Sequence, residues 1–127
     1  MKNLFLLLLC TAFSLKAESL LPAQKTIRFT TDEVTWPFLD ISPDESTLIF
    51  DMLGDIYTMP AEGGKASLLL GGMAFEYHPV YSPDGKQIAF ISDRDGSINL
   101  WIANADGSAK RKLSSDKEAM MYATPAW

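Results

Sequence analysis

The sequence predicts an all-β chain: a partial β-propeller of about two four-stranded antiparallel blades plus the start of a third. Three observations carry this. Ser42-Pro43-Asp44-Glu45-Ser46-Thr47-Leu48-Ile49-Phe50 returns as Ser82-Pro83-Asp84-Gly85-Lys86-Gln87-Ile88-Ala89-Phe90, in register at a spacing of 40 residues. A second block follows each copy at a spacing of 44, with Ile56-Tyr57 answered by Leu100-Trp101, Gly63 by Gly107 and Leu69 by Leu113. Both copies run from turn residues into short apolar strands, and self-similarity at about 40 residues in strand-rich sequence marks a propeller blade.

Residues 1–17 read as a signal peptide. Lys2 supplies the positive start, Leu4 to Leu15 the apolar core, and Ala17 a small residue at the cleavage point, although Leu15 stands where a smaller residue is usual. The apolar run is shorter than the roughly 20 residues of a membrane span, so no membrane attachment is expected after cleavage. Cys10 lies in this core behind Leu9, which is not the small residue that lipid attachment calls for. Cleavage leaves a chain without thiols, expected in the periplasm or outside the cell and stabilised by packing alone.

Residues 18–35 form a leader. Within it Thr26-Ile27-Arg28-Phe29-Thr30-Thr31 alternates apolar with polar, as a half-buried strand does. A strand ahead of the first blade is expected to close the ring by pairing into the last one, which hides two sheet edges. Residues 36–127 hold the blades. The first opens near Trp36 to Ile41, turns at Ser42-Pro43-Asp44-Glu45, and continues in strands Thr47 to Met52, Ile56 to Met59 and Ala66 to Leu70. Proline presets the second turn position, and the next Asp accepts bonds from free N–H groups. Gly85 suits a left-handed turn position, so Glu45 must adopt that backbone or the first turn must differ.

The second blade is expected over His78 to Ser82, Gln87 to Ser92, Ile98 to Ala103 and Lys110 to Leu113, with its glycine-bearing turns between. Ile88-Ala89-Phe90-Ile91 is apolar on both faces, which requires cover on both sides. Thr124-Pro125-Ala126-Trp127 then matches His78-Pro79-Val80-Tyr81 and begins a third copy. Two blades are fewer than the 4–8 of typical propellers. The chain is therefore expected to be the amino-terminal part of a longer protein.

Composition excludes several classes. An apolar content of 47% is that of a globular protein, not a disordered one. The formal charge is −5, and loss of Lys2 and Lys16 with no acid takes it to −7. Such a surface repels phosphate backbones, so no nucleic acid partner is expected. A metal-dependent hydrolase gathers several imidazoles and carboxylates on its ions, whereas this chain holds one histidine, His78. Asp93-Arg94-Asp95-Gly96 lacks the further oxygen ligands of a calcium loop. No Gly-x-Ser-x-Gly elbow or phosphate loop occurs. Tyr57 and Trp101 occupy equivalent blade positions and read as packing. The chain is accordingly assigned no catalytic, cofactor-binding or metal-binding residue.

Ser82-Pro83-Asp84-Gly85-Lys86, Ile88-Ala89-Phe90, Ser92-Asp93-Arg94, Leu100-Trp101 and Asp106-Gly107 resemble the TolB-type propeller repeat of bacterial envelope proteins, over about residues 36–127. Glu45-Ser46 in place of Gly-Lys, and Phe38 where the second copy has His78, depart from the pattern. Trp36 through Asp44 with Leu53 through Gly64 is similar to a subgroup of exported bacterial amidohydrolases that carry this propeller ahead of a metal-dependent catalytic domain. That resemblance implies a hydrolase of carbon–nitrogen bonds whose divalent metal sits in a downstream domain. TolB itself places a small α/β domain between signal and propeller, and only about twenty residues intervene here. Two alternatives stand beside it: a non-enzymatic TolB-like propeller that binds envelope proteins, and the propeller of a prolyl-oligopeptidase-like or tricorn-like peptidase. The expected partner is a protein, a peptide or the downstream catalytic domain.

Overall fold

The computed structural model describes residues 29–115 and 124–127. Residues 1–17, expected to be a signal peptide and holding Cys10, lie outside them, as do residues 18–28 of the leader and residues 116–123. The chain divides into Met1–Thr31 and Asp32–Trp127, and the strands found among the described residues belong to the second unit.

The strands are β1 (Leu39–Ile41), β2 (Thr47–Met52), β3 (Asp55–Pro60), β4 (Ser67–Leu70), β5 (Glu76–Tyr81), β6 (Gln87–Ser92), β7 (Asn99–Asn104) and β8 (Arg111–Lys112). They form two four-stranded antiparallel sheets in simple meander order, β1-β2-β3-β4 and β5-β6-β7-β8. These are the two expected blades, with no helix among the described residues. β2 and β6 have the expected bounds, while β5 starts two residues early at Glu76. Only two residues of β8 are strand, although Leu113 N–H still donates to the Leu100 carbonyl at 2.8 Å. Phe29 to Thr31 and Thr124 to Trp127 are in no strand.

Turn chemistry sets these strand lengths. Leu53 and Gly54, at φ 56° and 85°, make the two-residue link between β2 and β3, the twist that a tight hairpin favours. Between β1 and β2 the left-handed position falls to Glu45 at φ 60°, and in the second copy to Gly85 at φ 69°. The first turn therefore keeps its shape by straining a glutamate, which lacks glycine's freedom there.

The sheets pack face to face. Ile49, Ile56 and Leu70 from the first meet Ile88, Phe90 and Ala103 from the second, flanked by Leu69, Tyr81 and Trp101. The contact requires Gly107, because a Cβ there would stand 2.9 Å from Leu70 Cδ2 and 3.2 Å from the Leu69 carbonyl oxygen. Polar stitches line the same junction. Glu76 N–H donates to the Gly54 carbonyl at 2.8 Å, Tyr81 N–H to Asp40 Oδ2 at 2.8 Å, and His78 N–H to Asp51 Oδ2 at 2.8 Å.

Candidate functional site: a groove between two repeated turns

The two Ser-Pro-Asp turns come to the same end of the sheets and bound a groove of about 340 Å³, lined among others by Ser42, Pro43, Asp44, Tyr81, Asp84 and Gly85. Each turn is built the same way. Glu45 N–H closes onto the Ser42 carbonyl, and Gly85 N–H onto the Ser82 carbonyl, both at 2.8 Å. Ser42 Oγ donates to Asp44 at 2.6 Å, Ser46 N–H donates to Asp44 at 3.2 Å, and Thr47 N–H donates back to Ser42 Oγ at 2.9 Å. In the second copy Ser82 Oγ reaches Asp84 at 2.7 Å, Lys86 N–H reaches it at 3.1 Å, and Gln87 N–H reaches Ser82 Oγ at 2.9 Å.

This bonding sets the charge of the groove. The Ser42 hydroxyl, with Ser46 beside it, holds the Asp44 carboxyl below the usual aspartate range, and the Ser82 hydroxyl with the Lys86 N–H does so for Asp84. Hydrogen bonds to a carboxylate favour its ionised form. Burial, then the nearby Asp40 and Asp44, push the Tyr81 phenol up, so it stays neutral. The result is an open groove with two fixed negative charges and a half-buried aromatic wall.

The residues weighed from sequence fall elsewhere. His78 sits at the sheet junction, its ring 4.8 Å from Phe38 and 5.0 Å from Tyr77, and its backbone bends through φ 53°. Its Nδ1 is buried with no hydrogen-bond partner among the described residues. Asp93 accepts the Phe75 N–H at 2.7 Å, while Asp95 pairs with Lys112, so the two acids diverge. Tyr57 stacks on Phe50 at 5.9 Å, and Trp101 flanks the core. Among the described residues no three His, Cys, Asp or Glu side chains gather as a metal-holding group. With His78 enclosed by aromatic rings, the residues present do not fit the metal centre of an amidohydrolase.

One polar cluster had no sequence signal. Glu76 is fully buried and pairs with Arg94, whose guanidinium lies 5.7 Å from the Phe90 ring centre and 5.3 Å from that of Trp101. Ser92 Oγ also donates to Glu76 Oε1, at 3.4 Å. Arg94 belongs to the Ser-Asp-Arg stretch already noted. Glu76 occupies the position that Trp36 holds one repeat earlier, and only the fold reveals it as a buried acid.

No family model matches the chain. An uncharacterised protein of Agrobacterium fabrum is 30% identical over 89 residues, which cover 67% of this chain and 30% of that protein. The Tol-Pal system protein TolB of Anaeromyxobacter dehalogenans is 41% identical over 58 residues, 46% of this chain and 13% of the relative. Among solved structures, one provisionally described as TolB from Agrobacterium tumefaciens aligns with a TM-score of 0.61 at 27% identity, over 68% of this chain and 33% of its own. The chain thus spans a third or less of each of these proteins. Two meander sheets packed face to face define a segment of β-propeller. The repeats that compose it are TolB-like.

Proposed function

We propose that this chain is the non-catalytic docking segment of an exported bacterial TolB-like propeller, and that it engages a protein or peptide at the end where the Ser-Pro-Asp turns lie. One observation carries this reading: the repeat places Asp44 and Asp84 on the lining of one open groove, each held ionised by its own serine. Fixed carboxylates beside Tyr81 and Pro43 suit a partner segment bearing Lys or Arg, since complementary charge steers association and fixes register. The TolB relative is named for the Tol-Pal system, which accords with a role in the bacterial envelope, and the apolar start at Leu4 to Leu15 accords with export. The test is an affinity comparison with envelope proteins. Partners retained by the wild type and released by Asp44→Lys with Asp84→Lys, at unchanged circular dichroism, support the reading. Retention of every partner by the double variant refutes it.

A second reading rests on the likeness of Trp36 through Asp44, with Leu53 through Gly64, to exported bacterial amidohydrolases that carry such a propeller ahead of their catalytic domain. On this reading the propeller gates a downstream catalytic domain that holds the divalent metal. A reading frame with a His-x-His pair beyond the last blade, and metal-dependent amide hydrolysis by its product, would establish it. A frame ending with the propeller would leave the docking role alone.

A further inference from the structure

The sheet end opposite the Ser-Pro-Asp groove presents bulky apolar side chains to solvent. Leu53 and Gly54 turn β2 into β3 there, and residues 71–75 lead from β4 into β5 beside them. Leu53 takes a left-handed φ of 56° and is 79% exposed, so no burial offsets the strain. Asn, Asp or Gly would hold this position at less cost. The equivalent turn of the second sheet, Asp93 to Ser97, is polar, so the repeat does not call for an apolar residue there. Strain that the free protein does not offset points to contacts made in a complex. Met73 is fully exposed, and Phe75 is 57% exposed. Phe75 lies against the Leu53-Gly54 turn, because a Cβ on Gly54 would stand 2.7 Å from its ring.

Two carboxylates fix the loop that carries Met73. Asp55 Oδ1 accepts the Gly72 N–H at 3.3 Å, and Asp93 Oδ1 accepts the Phe75 N–H at 2.7 Å. Neither acid joins an ion pair among the described residues. Met73 is therefore held between two anchors that carry negative charge.

We propose that this surface docks a basic amphipathic helix of a partner protein. The apolar face of that helix rests on Leu53, Met73 and Phe75, and its Lys or Arg residues meet Asp55 and Asp93. Charge selects the basic partner, since complementary potentials favour association and like charges oppose it. A polarizable methionine among exposed apolar residues suits a helix face. An extended strand fits less well, because Gly72 and Phe75 have already given their N–H groups to the aspartates, whereas a helix satisfies its own backbone. The same two charges, with the formal net charge of −5, oppose an anionic membrane surface. This is a second interaction surface, apart from the groove.

Peptide binding tests this. The probe is a dye-labelled amphipathic helical peptide of leucine and lysine, titrated with the full chain and followed by fluorescence anisotropy. Leu53→Asn with Met73→Ser removes the apolar contacts and relieves the left-handed leucine, so the circular dichroism is expected to be unchanged. Asp55→Asn with Asp93→Asn keeps both acceptors and removes their charge. Each double variant is expected to bind the peptide at least tenfold more weakly than the wild type does. The wild type is expected to bind the same peptide with glutamate for lysine at least tenfold more weakly as well. No binding by the wild type, wild-type affinity in either double variant, or equal binding of the glutamate peptide overturns the proposal. Cosedimentation with phosphatidylcholine vesicles that Leu53→Asn with Met73→Ser abolishes overturns it in favour of a lipid surface. Asp44→Lys with Asp84→Lys lies at the other end of the sheets and leaves this binding unchanged, so the two ideas fail separately.

Discussion

The Asp51 carboxylate holds His78 across the boundary between the two sheets: Oδ2 accepts the His78 N–H at 2.8 Å. Its other oxygen accepts the N–H of Phe38 at 2.9 Å. Phe38 and His78 are equivalent positions one repeat apart, so a single side chain ties the residue just before β1 to the third residue of β5. The second sheet has Ile91 at the position of Asp51, and the device is not repeated there.

Asp51→Ala is expected to destabilise the protein by about 1–3 kcal/mol for the stranded His78 N–H alone, the usual penalty for a buried donor without an acceptor. Urea unfolding followed by tryptophan fluorescence measures it. A midpoint equal to that of the wild type would show that the junction does not depend on this carboxylate.

Arg94→Ala leaves Glu76 buried without its cation. Removing one partner of a buried pair costs about 3–5 kcal/mol, whereas replacing both with apolar groups is often close to neutral. The double variant Glu76→Leu with Arg94→Met should accordingly recover much of what Arg94→Ala loses. Thermal melts of the three proteins decide this, and a double variant no better than Arg94→Ala would contradict it.

Backbone strain separates two substitutions of opposite sign. Glu45→Gly relieves a left-handed glutamate and should gain up to about 1 kcal/mol, the strain of about 1–2 kcal/mol less the entropy that glycine loses. Gly107→Ala should cost about 1–3 kcal/mol, because its new methyl group meets Leu70 and the Leu69 carbonyl. Denaturation midpoints that move together in one direction would contradict the assignment.

Acid should loosen the turns before it disturbs the core. Asp44, Asp84 and Asp106 have carboxyls held below the ordinary value of 3.8 by neighbouring serine hydroxyls. A depressed folded-state value means stability that is complete above 3.8 and lost as pH falls through the lower folded value. The melting temperature should therefore hold level on this account down to about pH 4 and fall below it, with Asp44→Asn and Asp84→Asn flattening the fall. Equal slopes in variant and wild type would refute the linkage.

The sequence alone determined the repeat, because its period, its turns and its alternating apolar runs are local properties of the chain. Ser-Pro-Asp specified the same hydrogen-bonded turn twice, and strands β2 and β6 could be bounded from their residues. Glu45 was legible as either a strained residue or a different turn, since sequence shows which residue occupies a position but not the φ it adopts. Pairings between repeats were not legible at all. That Asp51 reaches His78 and that Asp44 and Asp84 share a groove depend on how one sheet is laid on the other, while Glu76 meets Arg94 through the pairing of β5 with β6 inside the second sheet. Tertiary structure decides such relationships because they join residues 18 to 40 positions apart that share no local conformation. Their geometry is set by the packing of Ile49, Ile56 and Leu70 on Ile88 and Phe90.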